Sequence, residues 1–422
     1  MKTQRGIAPF RFKPYSPKAK KLLTWWLPPS SYRDHDGIIA DGSIRSAKTI
    51  TMIDGFIEWS RQNFRNQNFI ISGKSAGALK RNVISPMRQI LASKGINPAY
   101  NRSEGFLAFG SNTYYFFGAN NEASQDVLQG ITAAGWYGDE VALQPQSFIE
   151  QAIGRCSVQG SKIWLNCNPE SPFHYVKTEL IDKAASKRLL HMHFTLDDNL
   201  TLSEQIKDRY KRMFAGVWYD RFIMGEWKAA EGAVYGMFDA KEYVVDSLPN
   251  MVQHWVGVDY GTSNPTIYLL MGRGADDKLY IIDEWRYDSA EHYGKQKTDA
   301  EYSRSFQVWI MGHKVQPRFI FVDPSAASFI TQLHRDGVRN LASADNRVLD
   351  GIRYVGSLFS CRRLLIHRRC EGLIREISGY SWDPKAQERG EDAPIKKADH
   401  GPDALRYLIN STANVWQGWI NH

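Results

Sequence analysis

The segment Gly42-Ser43-Ile44-Arg45-Ser46-Ala47-Lys48-Thr49 constrains the fold more than any other. Before it lies the short apolar run Ile38-Ile39-Ala40. After it, Lys48–Phe64 carries Ile50, Ile53, Ile57 and Phe64 at helical spacing. A buried strand, a glycine-led loop and a helix in that order make a phosphate cradle, because N–H groups of the loop and helix start face a polyphosphate. Lys48 then reaches the β and γ phosphates, and Thr49 offers its hydroxyl to Mg²⁺. The usual spacing is G-x-x-x-x-G-K-[ST]; here Ala47 stands in place of the second glycine. Alanine suits that place if its φ stays negative. Alone, the eight residues also read as a chance match in a basic loop.

A second acidic motif supports the cradle. Trp136-Tyr137-Gly138-Asp139-Glu140 ends a strand-like stretch about 90 residues on. Asp139 is placed to hold Mg²⁺ and Glu140 to deprotonate an attacking water. Arg45 sits in the loop where its guanidinium meets the γ-phosphate, as an arginine supplied in cis; a structural or DNA-facing role is its alternative. Asn166, Asn168 and Pro169 follow the strand Lys162–Asn166, where the amides sense phosphate or form a turn. Strand candidates at Asn68–Ser72, Thr113–Phe117 and Gly135–Gly138 alternate with helical stretches at Ala76–Ser93 and Gln144–Arg155. That alternation predicts a mainly parallel sheet.

The pattern restarts after the small, polar stretch Lys228–Gly236. We place a first domain at residues 1–228 with a basic N-terminal arm, a linker at 229–240, and a second domain at 241–422. In the second, Trp255–Asp259 and Arg318–Asp323 are apolar strands ending in aspartate, and Asp403 lies on a helix over Ala398–Asn410. His400 precedes Asp403 by one turn, on the same face. Carboxylates at two strand ends and one helix can hold two divalent cations, Mg²⁺ or Mn²⁺, for phosphodiester cleavage; three unrelated polar ends are the alternative. The remaining histidines, among them His191 and His193, show no partner spacing.

The four cysteines form no CxxC pair or zinc pattern, which fits a reduced compartment. No secretory leader and no membrane-length apolar run is evident. The net charge of +8 suits a nucleic-acid partner.

The ordered set GSIRSAKT, WYGDE, LNCNP, EGAVYGMF, VGVDYG, FVDPS and ADHGPDALRY resembles the large subunits of tailed-phage DNA-packaging terminases, in particular the SPP1-like ones of Bacillus phages. The resemblance covers nearly the whole chain. It implies an α/β architecture: an N-terminal P-loop, ASCE-type ATPase domain with a mainly parallel sheet, and a C-terminal RNase H-like nuclease domain with a mixed sheet. Gly42, Ser43, Ser46, Ala47, Lys48 and Thr49 then bind ATP, with Asp139 as the Mg²⁺ partner and Glu140 as the catalytic glutamate. Arg45 matches the terminase loop arginine, Asn166, Asn168 and Pro169 the coupling motif, and Tyr15 the adenine-recognition segment. Asp259, Asp323 and Asp403 match the metal-binding triad, with His400 beside it. The implied partners are double-stranded DNA, a small terminase subunit and the portal of a procapsid, with no membrane. The implied location is the host cytoplasm during assembly, not the mature virion. A DNA-translocating ATPase or helicase without nuclease activity is the second reading.

Overall fold

Each half of the chain builds its own sheet, and the strand order of each sheet decides where the candidate residues meet. The computed structural model describes residues 8–261 and 264–420; the first seven residues of the basic arm lie outside them. The chain divides into two units. The first holds residues up to Lys207 together with Asp220–Ala229 and Arg389–Glu391; the second holds Asp208–Tyr219, Ala230–Glu388 and the residues from Asp392 on.

The first unit contains β1 (Gly37–Gly42), β2 (Asn68–Gly73), β3 (Ala99–Asn101), β4 (Phe106–Phe109), β5 (Asn112–Gly118), β6 (Gly135–Gly138), β7 (Lys162–Asn166) and β8 (Leu189–Phe194). They form one sheet in the order β3-β4-β5-β2-β6-β7-β1-β8. All neighbours from β5 to β8 run parallel, and β3 and β4 add an antiparallel edge. Alternation along β1 sends Ile38 and Ala40 to one face and Ile39 to the other. The helix Lys48–Asn63 covers the first face. Its Phe56 and Trp59 pack on Trp164 of β7 with ring centroids 6.1 and 5.8 Å apart, and Trp25 closes the cluster at 5.2 Å.

The expected helix Ala76–Ser93 is broken into Ala76–Leu79, a π-turn at Lys80–Ile84 and Ser85–Ser93. Pro86 supplies the reason: it has no N–H to continue the ladder, and the Ser85 hydroxyl donates to the Lys80 carbonyl at 2.9 Å instead. The strand β8 and the β3–β4 hairpin are additions to the sequence-based layout.

The second unit contains β9 (Val244–Val245), β10 (Met251–Asp259), β11 (Thr266–Gly274), β12 (Leu279–Tyr287), β13 (Ile320–Val322), β14 (Leu341–Ser343) and β15 (Leu364–His367). Their order is β14-β13-β10-β11-β12-β15-β9. The meander β10–β11–β12 is antiparallel, and the flanking pairs are parallel, so the sheet is mixed. Val258 pairs with Val322 in the parallel register. Asp259 and Asp323 therefore emerge side by side at one end of the sheet.

The helix His400–Ser411, buried from Gly401 to Asn410, lies against β10. The approach is close: a Cβ on Gly257 would stand 2.6 Å from Leu408 Cγ and 2.7 Å from the Ala404 carbonyl oxygen. That contact sets the height of Asp403 over the strand end. Gly257→Ala is expected to push the helix off the strand and cost about 1–3 kcal/mol by overpacking. Thermal unfolding checks this; a parental melting curve contradicts it.

Candidate active sites

The first site forms where β1 gives way to the loop. Gly42 has φ +123°, and a Cβ there would lie 1.8 Å from the Phe194 carbonyl oxygen of β8. Only glycine fits. The Ser43 N–H donates to that same carbonyl, and the Ile44 N–H to the Phe222 carbonyl, both at 2.9 Å. Arg45 is exposed at the loop tip with φ 55°, and its carbonyl accepts from the Asn199 amide.

Ala47 overturns the expectation of a negative φ, because its φ is 68°. The loop must turn here to aim the Ala47 carbonyl down the helix, where it accepts from Thr51 N at 3.2 Å and Thr51 Oγ1 at 2.8 Å. Holding a Cβ in that region costs about 1–3 kcal/mol.

Lys48 is 6% exposed. Its ammonium donates to the carbonyls of Gly42 (3.0 Å) and Ser43 (2.7 Å), to Ser46 Oγ (3.1 Å) and to Asn168 Oδ1 (3.2 Å). Burial pulls its pKa down from the usual lysine range to about 8, against the pull of Asp41, Asp139 and Glu140. The Ser43 hydroxyl is buried with no hydrogen-bond partner among the described residues, a polar capacity that suits an incoming phosphate.

Thr49 Oγ1 lies 3.4 Å from Asp139 Oδ1. That oxygen also accepts from the Tyr137 hydroxyl (3.2 Å) and Asn166 Nδ2 (3.0 Å). Burial raises the pKa of Asp139 in spite of these donors. It raises Glu140 too, with the Asp139 charge adding to it. Glu140 stands at φ 52°, and its N–H donates to Asn166 Oδ1 at 3.2 Å. Asn166 thus contacts Asp139 and the Glu140 N–H, and Asn168 contacts the Lys48 ammonium. Pro169 follows in the loop that leaves β7. Tyr15 is half-buried against the helix Lys48–Asn63, its hydroxyl donating to Asp54 Oδ2 at 3.0 Å.

His191 and His193 have partners that their sequence spacing hides. Both ring nitrogens approach Asp41 Oδ1, at 2.8 and 3.2 Å, and Trp227 Nε1 donates to Asp41 Oδ2 at 2.7 Å. Burial opposes the charge on Asp41, but these contacts hold its carboxyl well below the usual range. The signal was the alternation in LLHMHF, which puts both histidines on one face of a strand.

The second site gathers Asp259, Asp323, Asp403 and His400 at one sheet end, each with a local partner. Asp259 Oδ2 meets His400 Nδ1 at 2.9 Å. Asp323 Oδ2 accepts from the Tyr407 hydroxyl at 2.6 Å, and its Oδ1 from Ser325 N at 2.8 Å. Asp403 lies 3.0 Å from Arg406 Nη2 and 3.3 Å from Lys396 Nζ. Lys396 is exposed, in the loop that precedes the helix His400–Ser411.

Among the described residues, no three His, Cys, Asp or Glu side chains converge as ligands of one ion. The expected triad is therefore not gathered as a metal cluster, and each carboxylate is turned to its own donors. It still suits a cation in one respect. Burial, with the Asp403 charge nearby, raises the pKa of Asp259, a repulsion that bound cations relieve. Burial would lower His400, but the Asp259 carboxylate raises it above the ordinary imidazole value. Asp323 is lowered against its burial by Tyr407 and Ser325.

Comparison with known proteins adds a family. A model of the T4likevirus-type terminase large subunit, N-terminal part, matches residues 39–241. The large terminase subunit of Escherichia phage T5 is 28% identical over 235 residues, 52% of this chain and 51% of that protein. The chain thus spans about half the length of this curated relative. The large terminase of a thermophilic bacteriophage is 46% identical, with TM-score 0.90 over 95% of this chain and 100% of that one. The complex of that same terminase with ATP-gamma-S is 45% identical, with TM-score 0.85 over 94% and 99%. These matches correct the nearer likeness to the SPP1-like proteins: they run to the thermophilic phage and to T5 instead.

Two outcomes follow from the loop. Ala47→Gly is expected to relieve the left-handed strain and raise stability by about 1 kcal/mol; an unchanged or lower unfolding midpoint contradicts it. The ammonium of Lys48 is the form a polyphosphate selects, and its proton leaves as pH rises through about 8. Affinity for ATP is then level at lower pH and falls by about tenfold per unit well above that point. Nucleotide titration between neutral and alkaline pH checks this; a constant Kd contradicts it.

Proposed function

We propose how the two sites are used in this chain, which belongs to the large terminase subunits of tailed phages. The first unit binds and hydrolyses ATP with Mg²⁺, and the second cleaves DNA. Together they move double-stranded DNA into a procapsid and cut it from a concatemer. The observation that carries the ATPase reading is the joint hold of Asn166 on Asp139 and Glu140 and of Asn168 on Lys48. Adjacent parallel strands bring the acids and the lysine to one end of the sheet, as phosphoryl transfer requires.

Thr49 and Asp139 hold Mg²⁺, and Lys48 stabilises charge on the transferring phosphoryl group. Glu140, kept basic enough by burial and by Asp139, takes the proton of the attacking water. Arg45 meets the γ-phosphate from the loop tip. Tyr15 flanks the adenine, and Pro169 stiffens the coupling loop.

In the second unit Asp259, Asp323 and Asp403 hold two divalent cations, with His400 beside them. Such ions activate water and stabilise the leaving oxygen. The chain's own part is to set the carboxylates: His400 orients Asp259, and Tyr407 orients Asp323. The domain limits 1–228 and 241–422, with a linker at 229–240, belong to this reading. So do a small terminase subunit and the portal as partners, and the host cytoplasm during assembly. Among the described residues, no helix is long and apolar enough to cross a membrane.

Glu140→Gln in the full chain should retain ATP-gamma-S binding and lose turnover by roughly 10²–10⁴. Normal turnover contradicts the assignment. Asp259→Asn should abolish plasmid cleavage and keep ATP turnover. Cleavage that survives this change, or that survives EDTA, removes the metal centre, whereas a parent chain that cuts no plasmid with Mg²⁺ or Mn²⁺ leaves the translocating ATPase.

A further inference from the structure

The chemistry above leaves a set of buried groups unused around residues 220–228. The Phe222 carbonyl accepts from the loop N–H of Ile44 at 2.9 Å. The Trp227 indole donates at 2.7 Å to Asp41, which is 1% exposed and directly precedes Gly42. Gly225, at φ +80°, packs so near the loop that a Cβ would lie 2.9 Å from Ser43 N. Arg221 is fully buried; its Nε donates to the Lys228 carbonyl at 2.8 Å, and its Nη1 lies 3.3 Å from Glu170 Oε2. Glu170 stands two residues past Asn168, which binds the Lys48 ammonium. One short segment is therefore tied to the start of the phosphate loop and to the loop that carries Asn168. In chain order it is flanked on both sides by residues of the second unit, Asp208–Tyr219 before and Ala230 onward after.

We propose that residues 220–228 form a clasp on the phosphate loop, with Trp227 and Arg221 as positioning residues that pass nucleotide occupancy to the chain on either side. The argument rests on the ATP-binding reading. A polyphosphate draws the Lys48 ammonium away from the Gly42 and Ser43 carbonyls and from Asn168. Those groups must then settle into a second arrangement. Ser43 and Ile44 are bonded on their outer side, and Asp41 is held through both oxygens by His191, His193 and Trp227. Buried polar contacts of this kind are costly to break, so the shift is handed to the clasp rather than absorbed in the loop. A local strap with no such role would hold the same contacts but ignore the nucleotide.

Hydrogen exchange on the full chain, with and without ATP-gamma-S and Mg²⁺, separates the two. Peptides covering 42–49 and 222–228 should both slow on binding, the second by roughly threefold or more. Trp227→Phe keeps the ring and removes the indole N–H. It should retain loop protection and lose the response of 222–228. Glu170→Gln, at a less buried position, should do the same and serves if Trp227→Phe does not fold. A protected loop with an unchanged or faster clasp in the parent chain overturns the proposal and leaves nucleotide binding intact. An unprotected loop overturns both. A parental response in the folded variants overturns the roles of Trp227 and the Arg221–Glu170 pair.

Discussion

A buried ammonium is the costliest object in the first unit, and much of that unit is arranged around it. An isolated charge taken out of water loses several kcal/mol of solvation. Lys48 recovers part of this from two loop carbonyls, a hydroxyl and an asparagine. Each of these groups needs a fixed place. The carbonyls face inward because Gly42 takes a φ closed to other residues, and because β8 stands close enough to accept the next N–H. The asparagine arrives because β7 lies beside β1 in parallel register, with Ala40 opposite Asn166. Sheet order, loop geometry and the polar ends of the strands all serve one charge, and that charge is left ready to exchange its neutral partners for a phosphate.

The second unit meets the opposite difficulty. Its strand ends and its C-terminal helix crowd carboxylates, and like charges in a partly buried place repel. Local donors share the load: His400 for Asp259, Tyr407 for Asp323, Lys396 and Arg406 for Asp403. Lys396 sits between Asp399 and Asp403, at 3.2 and 3.3 Å, and supplies positive charge where a divalent ion would supply more. The two sites thus share a logic with the signs reversed. Each is held together by weak partners that a stronger one can replace.

Legibility followed the range of the interactions. The strand, loop and helix around Lys48 could be read because glycine, lysine and threonine act within eight residues of one another. The strands ending in Asp259 and Asp323 could be read because an apolar run that stops at an aspartate is a local pattern. Their neighbourhood at one sheet end rests on the parallel pairing of β10 with β13, across more than sixty residues, and in sequence it was one of two readings until the family resemblance favoured it. The partner of the β8 histidines was hidden for the same reason, since Asp41 lies 150 residues earlier. Lys396 is exposed, and nothing in its own stretch of sequence shows that it reaches Asp399 and Asp403. The left-handed Ala47 was missed because the strain is imposed by the helix it caps, not by its own preference.

The division of the chain into interleaved units bears on how the protein can be taken apart. Residues 208–219 precede the end of the first unit yet pack with the second. Within that unit Trp218 is 8% exposed with its ring 6.5 Å from that of Trp382, and Cys361 Sγ lies 3.5 Å from the Arg212 carbonyl. A fragment cut at residue 230 would leave this covering behind and open an aromatic face that the intact chain keeps dry. Its solubility and activity would then describe a wounded unit rather than a free one. Dissection at a single bond is the wrong operation for a chain that crosses between its parts more than once.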